Sequence, residues 1–250
     1  HGETGHGETG QKPLLPPVLF PDIETFQLEN GMQVVVIPDQ RAAIVTHMVW
    51  YRVGAADETA GQSGIAHFLE HLLFKGSKKF PDDAIDRTVK RVGGSHNAFT
   101  GHDYTAYFQK VTADHLPLMM ELEADRMLNV NFTAADVDVE RKVVLEERAR
   151  GIETSPQAQM DAAINLALYK NHPYRRPIIG WREEIEALSH RDISAFYERF
   201  YTPANAVLVV SGNVRVEQVK MLAEKTYGPL QNRAPAYAPE RPAEPDNFNI

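Results

Sequence analysis

The sequence predicts an α+β fold, a mostly antiparallel sheet packed with helices. Strand-like segments come as hairpins with short turns, which makes neighbours antiparallel. Helix-like segments come in runs, which argues against a sheet built from alternating strands and helices. The 250 residues suit one large domain, or one and a fraction, with ample chain for a core.

The elements follow in order. Residues 1–10 repeat HGETG twice and read as a tag remnant or flexible tail outside the fold, with a metal-binding His tail as the other reading. The Pro-rich run 11–22 should approach the first strand extended. Residues 25–39, TFQLENGMQVVVIPD, read as a hairpin around Asn30-Gly31. Residues 44–55 form a third strand, apolar enough to be central. An apolar helix spans 64–76, and an amphipathic one spans 82–94 with Gly93-Gly94 at its end. Two strands rich in Thr, Tyr and Phe flank a turn at Gly101. Helices follow over 114–129, over 136–151 with Gly151 at the end, over 155–170 and over 181–201. A buried strand over 205–214 and a helix over 215–228 complete the set, and the Pro-rich tail from 232 has the composition of a linker. Met119, Met120 and Met127 are expected to fill the core, with Glu121, Glu123 and Asp125 on a solvated helix side.

Composition excludes several functions. Net charge is −8 with no block of like charges, so there is no basic surface for nucleic acid. The absence of cysteine removes disulfides, thiolate metal sites and cysteine nucleophiles. No apolar run approaches the roughly 20 residues of a membrane span. No Gly-rich phosphate loop is present, and neither Ser63 nor Ser211 lies in a nucleophile elbow.

The stretch GIAHFLEHLLFKG, residues 64–76, carries the functional signal. At about 100° per residue, Glu70 lies roughly −60° and His71 roughly +40° from His67. Ile65, Phe68, Leu69, Leu72 and Leu73 fall on the opposite side. Two histidines at i and i+4 can share one metal ion, and the glutamate between them can reach water without ligating the metal. Zinc suits such a donor set, because it accepts two imidazoles and a carboxylate and keeps a fourth position for water. Glu70 is then the candidate general base.

The third ligand has to come from elsewhere. In VERKVVLEERARG, residues 139–151, Glu140 and Glu147 share a helix face with Val143 and Val144. That face is either simply exposed or holds carboxylates with a purpose, since a carboxylate among apolar groups needs a partner. The second reading makes Glu147 the ligand and Glu140 its supporting neighbour.

HFLEH followed by ERKVVLEE resembles the inverzincin metallopeptidases of the pitrilysin family. Glu147 lies 76 residues beyond His71 and seven beyond Glu140, and both spacings match that family. The resemblance covers roughly 25–230 and looks strongest to bacterial members. It implies a zinc-dependent endopeptidase acting on peptides or unfolded polypeptides, with His67, His71 and Glu147 on the metal and Glu70 and Glu140 in the catalytic apparatus. It also implies that Asn97, Ala98, Phe99 and Thr100 lie on an edge strand where substrate adds alongside. A second related domain or subunit is implied too, closing over the peptide and supplying an Arg and a Tyr, with a homo- or heterodimer as one arrangement. The expected layout is a tail over 1–20, a zinc-binding catalytic domain over 21–232 and a linker over 233–250 toward that second domain. The alternative is a noncatalytic scaffold or partner-binding subunit of the same fold. The non-Met start, the lack of Cys and the bacterial resemblance give the periplasm as the expected location, with the cytoplasm as the other.

Overall fold

The computed structural model describes residues 22–243. Six strands form one sheet in the order β1-β2-β6-β3-β5-β4. They are β1 (Glu24–Gln27), β2 (Gln33–Pro38), β3 (Ile44–Tyr51), β4 (Ser95–Thr100), β5 (Thr105–Thr112) and β6 (Ala206–Gly212). Every pair is antiparallel except β2–β6, whose crossover runs through most of the chain. The expected mostly antiparallel α+β sheet is therefore present, with β3 in its interior and β4 at one edge.

Eight α-helices are present among the described residues: α1 (Ile65–Leu72), α2 (Ala84–Arg91), α3 (Leu116–Asn129), α4 (Ala134–Arg148), α5 (Pro156–Leu168), α6 (Arg182–Ala187), α7 (His190–Phe200) and α8 (Val216–Thr226). Alternation along the strands sets the buried face. Val45, His47, Val49 and Tyr51 of β3 are buried, while Thr46, Met48 and Trp50 between them are half-buried. Leu208 and Val210 of β6 join the same core as Phe68, Leu69 and Leu72 of α1. Met119, Met120 and Met127 are fully buried in it, as expected.

Several sequence expectations change. The Asn30-Gly31 turn is part of a five-residue loop, because the strands stop at Gln27 and Gln33. Asn30 Nδ2 is drawn away to donate to Tyr227 O at 2.8 Å and Leu230 O at 3.0 Å, which ties the loop to the end of α8. Gly151 does not end α4, which passes at Ala149 into a π-turn over Ala149–Glu153 with Gly151 inside it. Arg148 and Arg182 converge on Glu153 and hold that turn.

Glu123 and Asp125 are buried and not on a solvated side; of the three acids only Glu121 is exposed. Glu123 pairs with Arg126 and accepts from Gln109 Nε2 at 2.5 Å. Gln109 lies opposite His47 in the β3–β5 register, and His47 bridges Gln109 Oε1 at 2.7 Å and Tyr227 OH at 2.8 Å. The guanidinium of Arg126 lies 4.5 Å from the Tyr107 ring centre. A polar chain thus runs through the core, each member hydrogen-bonded to the next, although Arg126 Nη1 finds no acceptor among the described residues.

The Pro-rich segment from 232 lies against the domain as far as it is described. Arg233 Nη2 donates to Tyr201 O at 2.7 Å, Tyr237 packs edge-on against Phe200, and Arg241 Nη2 reaches Asp57 at 2.7 Å and Asp103 at 2.9 Å.

Candidate metal centre

The start of α1 is fixed by two contacts. Gly64 adopts φ 87°, which glycine takes without the clash a side chain would meet. The buried Glu58 carboxyl accepts from Gly64 N at 3.1 Å and Ala66 N at 3.0 Å, satisfying helix N–H groups that have no partner inside the helix. Burial pushes the Glu58 carboxyl up to about 8 against the pull of those two N–H groups. The helix then buries Ile65, Phe68, Leu69 and Leu72, as its periodicity requires. His67, Glu70 and His71 are left on the other side, with the two imidazole centres 4.6 Å apart.

Helix α4 packs against that side. Thr133 and Asp136 close its N-terminus with a reciprocal capping box. Val137, Glu140 and Val144 are buried, and Glu147 continues the face to a half-exposed position. His67 Nε2 lies 3.7 Å from Glu147 Oε1, and His71 Nε2 lies 3.2 Å from Glu147 Oε2. One ligand atom from each of the three residues falls within 4.8 Å of the other two. Ligand atoms about 2.0–2.1 Å from a tetrahedral zinc stand roughly 3.3–3.5 Å apart, so this donor set fits zinc with little movement. His67 Nδ1 is buried with no hydrogen-bond partner among the described residues.

Glu140 does not join the three. Its Oε1 accepts from His71 Nδ1 at 2.8 Å, and its Oε2 meets Lys75 Nζ at 2.8 Å. The first contact fixes the His71 tautomer and leaves Nε2 free to ligate. The His71 hydrogen bond, then Lys75, outweigh burial and hold the Glu140 carboxyl down at about 2. For His71, burial pulls downward, but the Glu140 hydrogen bond and the charges of Glu140, Glu147 and Glu70 raise its pKa above the ordinary imidazole value. Burial, then the neighbouring His71, lower His67 to about 3, so its ring is neutral and ready to ligate. Glu70 is raised, chiefly by burial, although Thr100 Oγ1 donates to its Oε2 at 2.5 Å.

The four residues expected at the substrate edge all lie on β4, and no strand pairs with the outer side of β4 among the described residues. Only Thr100 touches the centre, through Glu70. Ala98 packs on the core, Phe99 turns to the opposite face beside Trp50, and Asn97 Oδ1 accepts from Ala98 N at 2.9 Å. Sequence reasoning missed the Thr100–Glu70 and Lys75–Glu140 contacts. Strand alternation signals the first, since His96, Ala98 and Thr100 share one side of β4. Position signals the second, since Lys75 stands four residues beyond His71.

Comparisons with known proteins identify the family. The family model described as Insulinase (Peptidase family M16) matches residues 33–181, and that described as Peptidase M16 inactive domain matches 187–249. The zinc protease PqqE of Helicobacter pylori is 37% identical over 214 residues, 85% of this chain and 48% of that protein. The probable mitochondrial-processing peptidase subunit beta of Schizosaccharomyces pombe is 31% identical over 215 residues, 86% of this chain and 47% of that protein. The crystal structure of a protease from Helicobacter pylori superposes with a TM-score of 0.85 at 35% identity, covering 89% of this chain and 55% of that one. The chain spans about half the length of the curated relatives it matches. With a family model over most of its length and a metal-ligand group where that family's relatives are named zinc proteases, the chain belongs to the M16 (insulinase) peptidase family.

Proposed function

We propose that this chain is the zinc-bearing part of an endopeptidase that hydrolyses peptides or unfolded polypeptides. The observation that carries the reading is the convergence of His67, His71 and Glu147 from two helices onto one small volume. The three would hold zinc, which supplies Lewis acidity: it draws electrons from a peptide carbonyl and makes water acidic enough to lose a proton near neutral pH. Glu70 Oε1 would take that proton and return it to the leaving amine. Its raised pKa suits a group that must both accept and release a proton. Thr100 Oγ1 holds one Glu70 oxygen, which leaves the other for the proton. Glu140 keeps the His71 Nδ1 proton in place. The open edge of β4 offers backbone N–H and C=O groups to an extended peptide. A noncatalytic scaffold would leave Glu70, a largely buried carboxylate beside the metal ligands, without a task.

Glu70 is the residue to test. Glu70→Gln is expected to keep about one zinc per chain and to lose peptide hydrolysis by about a hundredfold or more, read with a fluorogenic peptide. A Glu70→Gln protein that cuts at the wild-type rate removes Glu70 from the mechanism.

A further inference from the structure

A cavity of 540 Å³ opens outside the metal centre, with Gly61, Lys170, Arg175, Arg176, Trp181 and Glu184 in its walls. It is fastened to the start of α1. Trp181 N donates to Ser63 Oγ at 2.9 Å, and Ser63 N donates to Glu184 Oε2 at 2.6 Å. Gly64 and Gly180 meet backbone to backbone, so that a Cβ on Gly64 would stand 2.4 Å from Ile179 O. On the other flank Tyr174, next to Arg175, donates its hydroxyl to Asp103 and stacks on His102 with 4.6 Å between ring centres. His102 and Asp103 stand two and three residues beyond Thr100, the end of β4. The cavity therefore stands between the start of the metal-bearing helix and the end of the open edge strand.

Its charge is unbalanced. Lys170, Arg175 and Arg176 bring three positive charges, and the one wall carboxylate, Glu184, is engaged by Ser63. Among the described residues the hydrogen bonds of both arginines go to carbonyls, Arg175 Nη1 to Lys170 O at 3.0 Å and Arg176 Nη2 to Ala55 O at 3.4 Å, while the buried Glu58 carboxyl also lies within the charge field of Arg176. Arg176 Nε is buried with no acceptor among the described residues. Nearby Arg148 and Arg182, by contrast, share the Glu153 carboxylate. Guanidinium forks match carboxylates in shape and charge, and a partly enclosed pair is stronger than one in open water. The whole chain carries −8, so a local positive cavity discriminates where the rest of the surface repels acidic peptides.

We propose that this cavity is a carboxylate subsite for the substrate. It takes an acidic side chain, or the chain-terminal carboxylate, of a peptide that lies along β4 and continues past Thr100. The proposal rests on the reading of this chain as a peptidase and adds a preference to it.

Three labelled peptides of one otherwise neutral sequence test it by fluorescence anisotropy, with the chain kept metal-free in chelator. The first is neutral and amidated. The second carries one internal Glu and is amidated. The third is neutral with a free C-terminal carboxylate. At least one carboxylate peptide is expected to bind about tenfold tighter than the first, and which one does so identifies the source. In Lys170→Gln/Arg175→Gln, at two exposed positions, the preference should shrink to about twofold or less. Arg176→Gln should act in the same direction. Equal binding of all three peptides, no binding of any, or a preference that survives the double variant overturns the proposal. Neither zinc nor hydrolysis enters this measurement, so failure of the peptidase reading shows separately, as missing zinc or missing cleavage.

Discussion

His71 uses both nitrogens of one ring, Nδ1 toward Glu140 and Nε2 toward Glu147. Zinc must displace a proton that His71, its pKa raised by Glu140 and the neighbouring carboxylates, holds more firmly than an ordinary imidazole does, whereas His67, at about 3, offers little competition. Zinc affinity should therefore fall about tenfold for each pH unit below the His71 pKa, with one proton taken up per zinc lost. Isothermal titration in buffers of different ionisation heat reads that proton. Glu140→Gln should weaken zinc binding by about ten- to a hundredfold. Without metal, the His71–Glu140 contact stabilises the fold fully between about 4.5 and 6.5; it is lost as pH rises through the higher folded value of His71 and as pH falls through the value of about 2 at Glu140. The melting-temperature gap between metal-free wild type and Glu140→Gln should accordingly be wider at pH 6 than at pH 8. Elsewhere, Glu123→Ala leaves the Arg126 guanidinium buried and unpaired, and should cost about 3–5 kcal/mol in denaturant unfolding. The HFLEH trio was legible because helical period alone sorts it from the leucines. Glu123 and His47 were not, because their partner Gln109 is brought to them by the β3–β5 register, which no local pattern encodes.

At the scale of elements, α1 and α4 do most to place the centre, and each is positioned by its own N-terminus. Gly64 has a left-handed backbone and touches Ile179 O, so Gly64→Ala combines φ strain with a clash. It should lower stability by about 2 kcal/mol or more and weaken zinc retention, read by thermal melting and metal content after dialysis. Glu58, the buried group that receives the first N–H groups of α1, was invisible in the sequence because it lies in the loop before the helix. The elements themselves were mostly legible, since their periods and glycine punctuation are local. Gly151 misled, because the convergence of Arg148 and Arg182 on Glu153 carries the chain through a π-turn that glycine only permits. The edge position of β4 was expected from family resemblance, as hydrophobic alternation shows a strand without showing its place in the sheet order.

At the scale of the whole chain, the candidate centre lies open on one side. The centre faces α4 and the open edge of β4, and no described element covers that edge. Helix α5 has no buried residue, and Met160, Ile164 and Leu168 expose one apolar stripe along it. If a second M16 domain completes the enzyme, this chain alone should bind zinc but cleave peptides slowly. Supplying that domain should raise kcat/KM by about tenfold or more, measured with one fluorogenic peptide. Equal rates with and without it would make this chain self-sufficient. Before any assay of cleavage, zinc per chain should be measured by elemental mass spectrometry in wild type and Glu147→Ala after identical zinc loading and dialysis. A three-ligand site gives about one zinc in the wild type and a large loss in the variant. No zinc in either, or equal zinc in both, would contradict the assignment of His67, His71 and Glu147 as the metal centre.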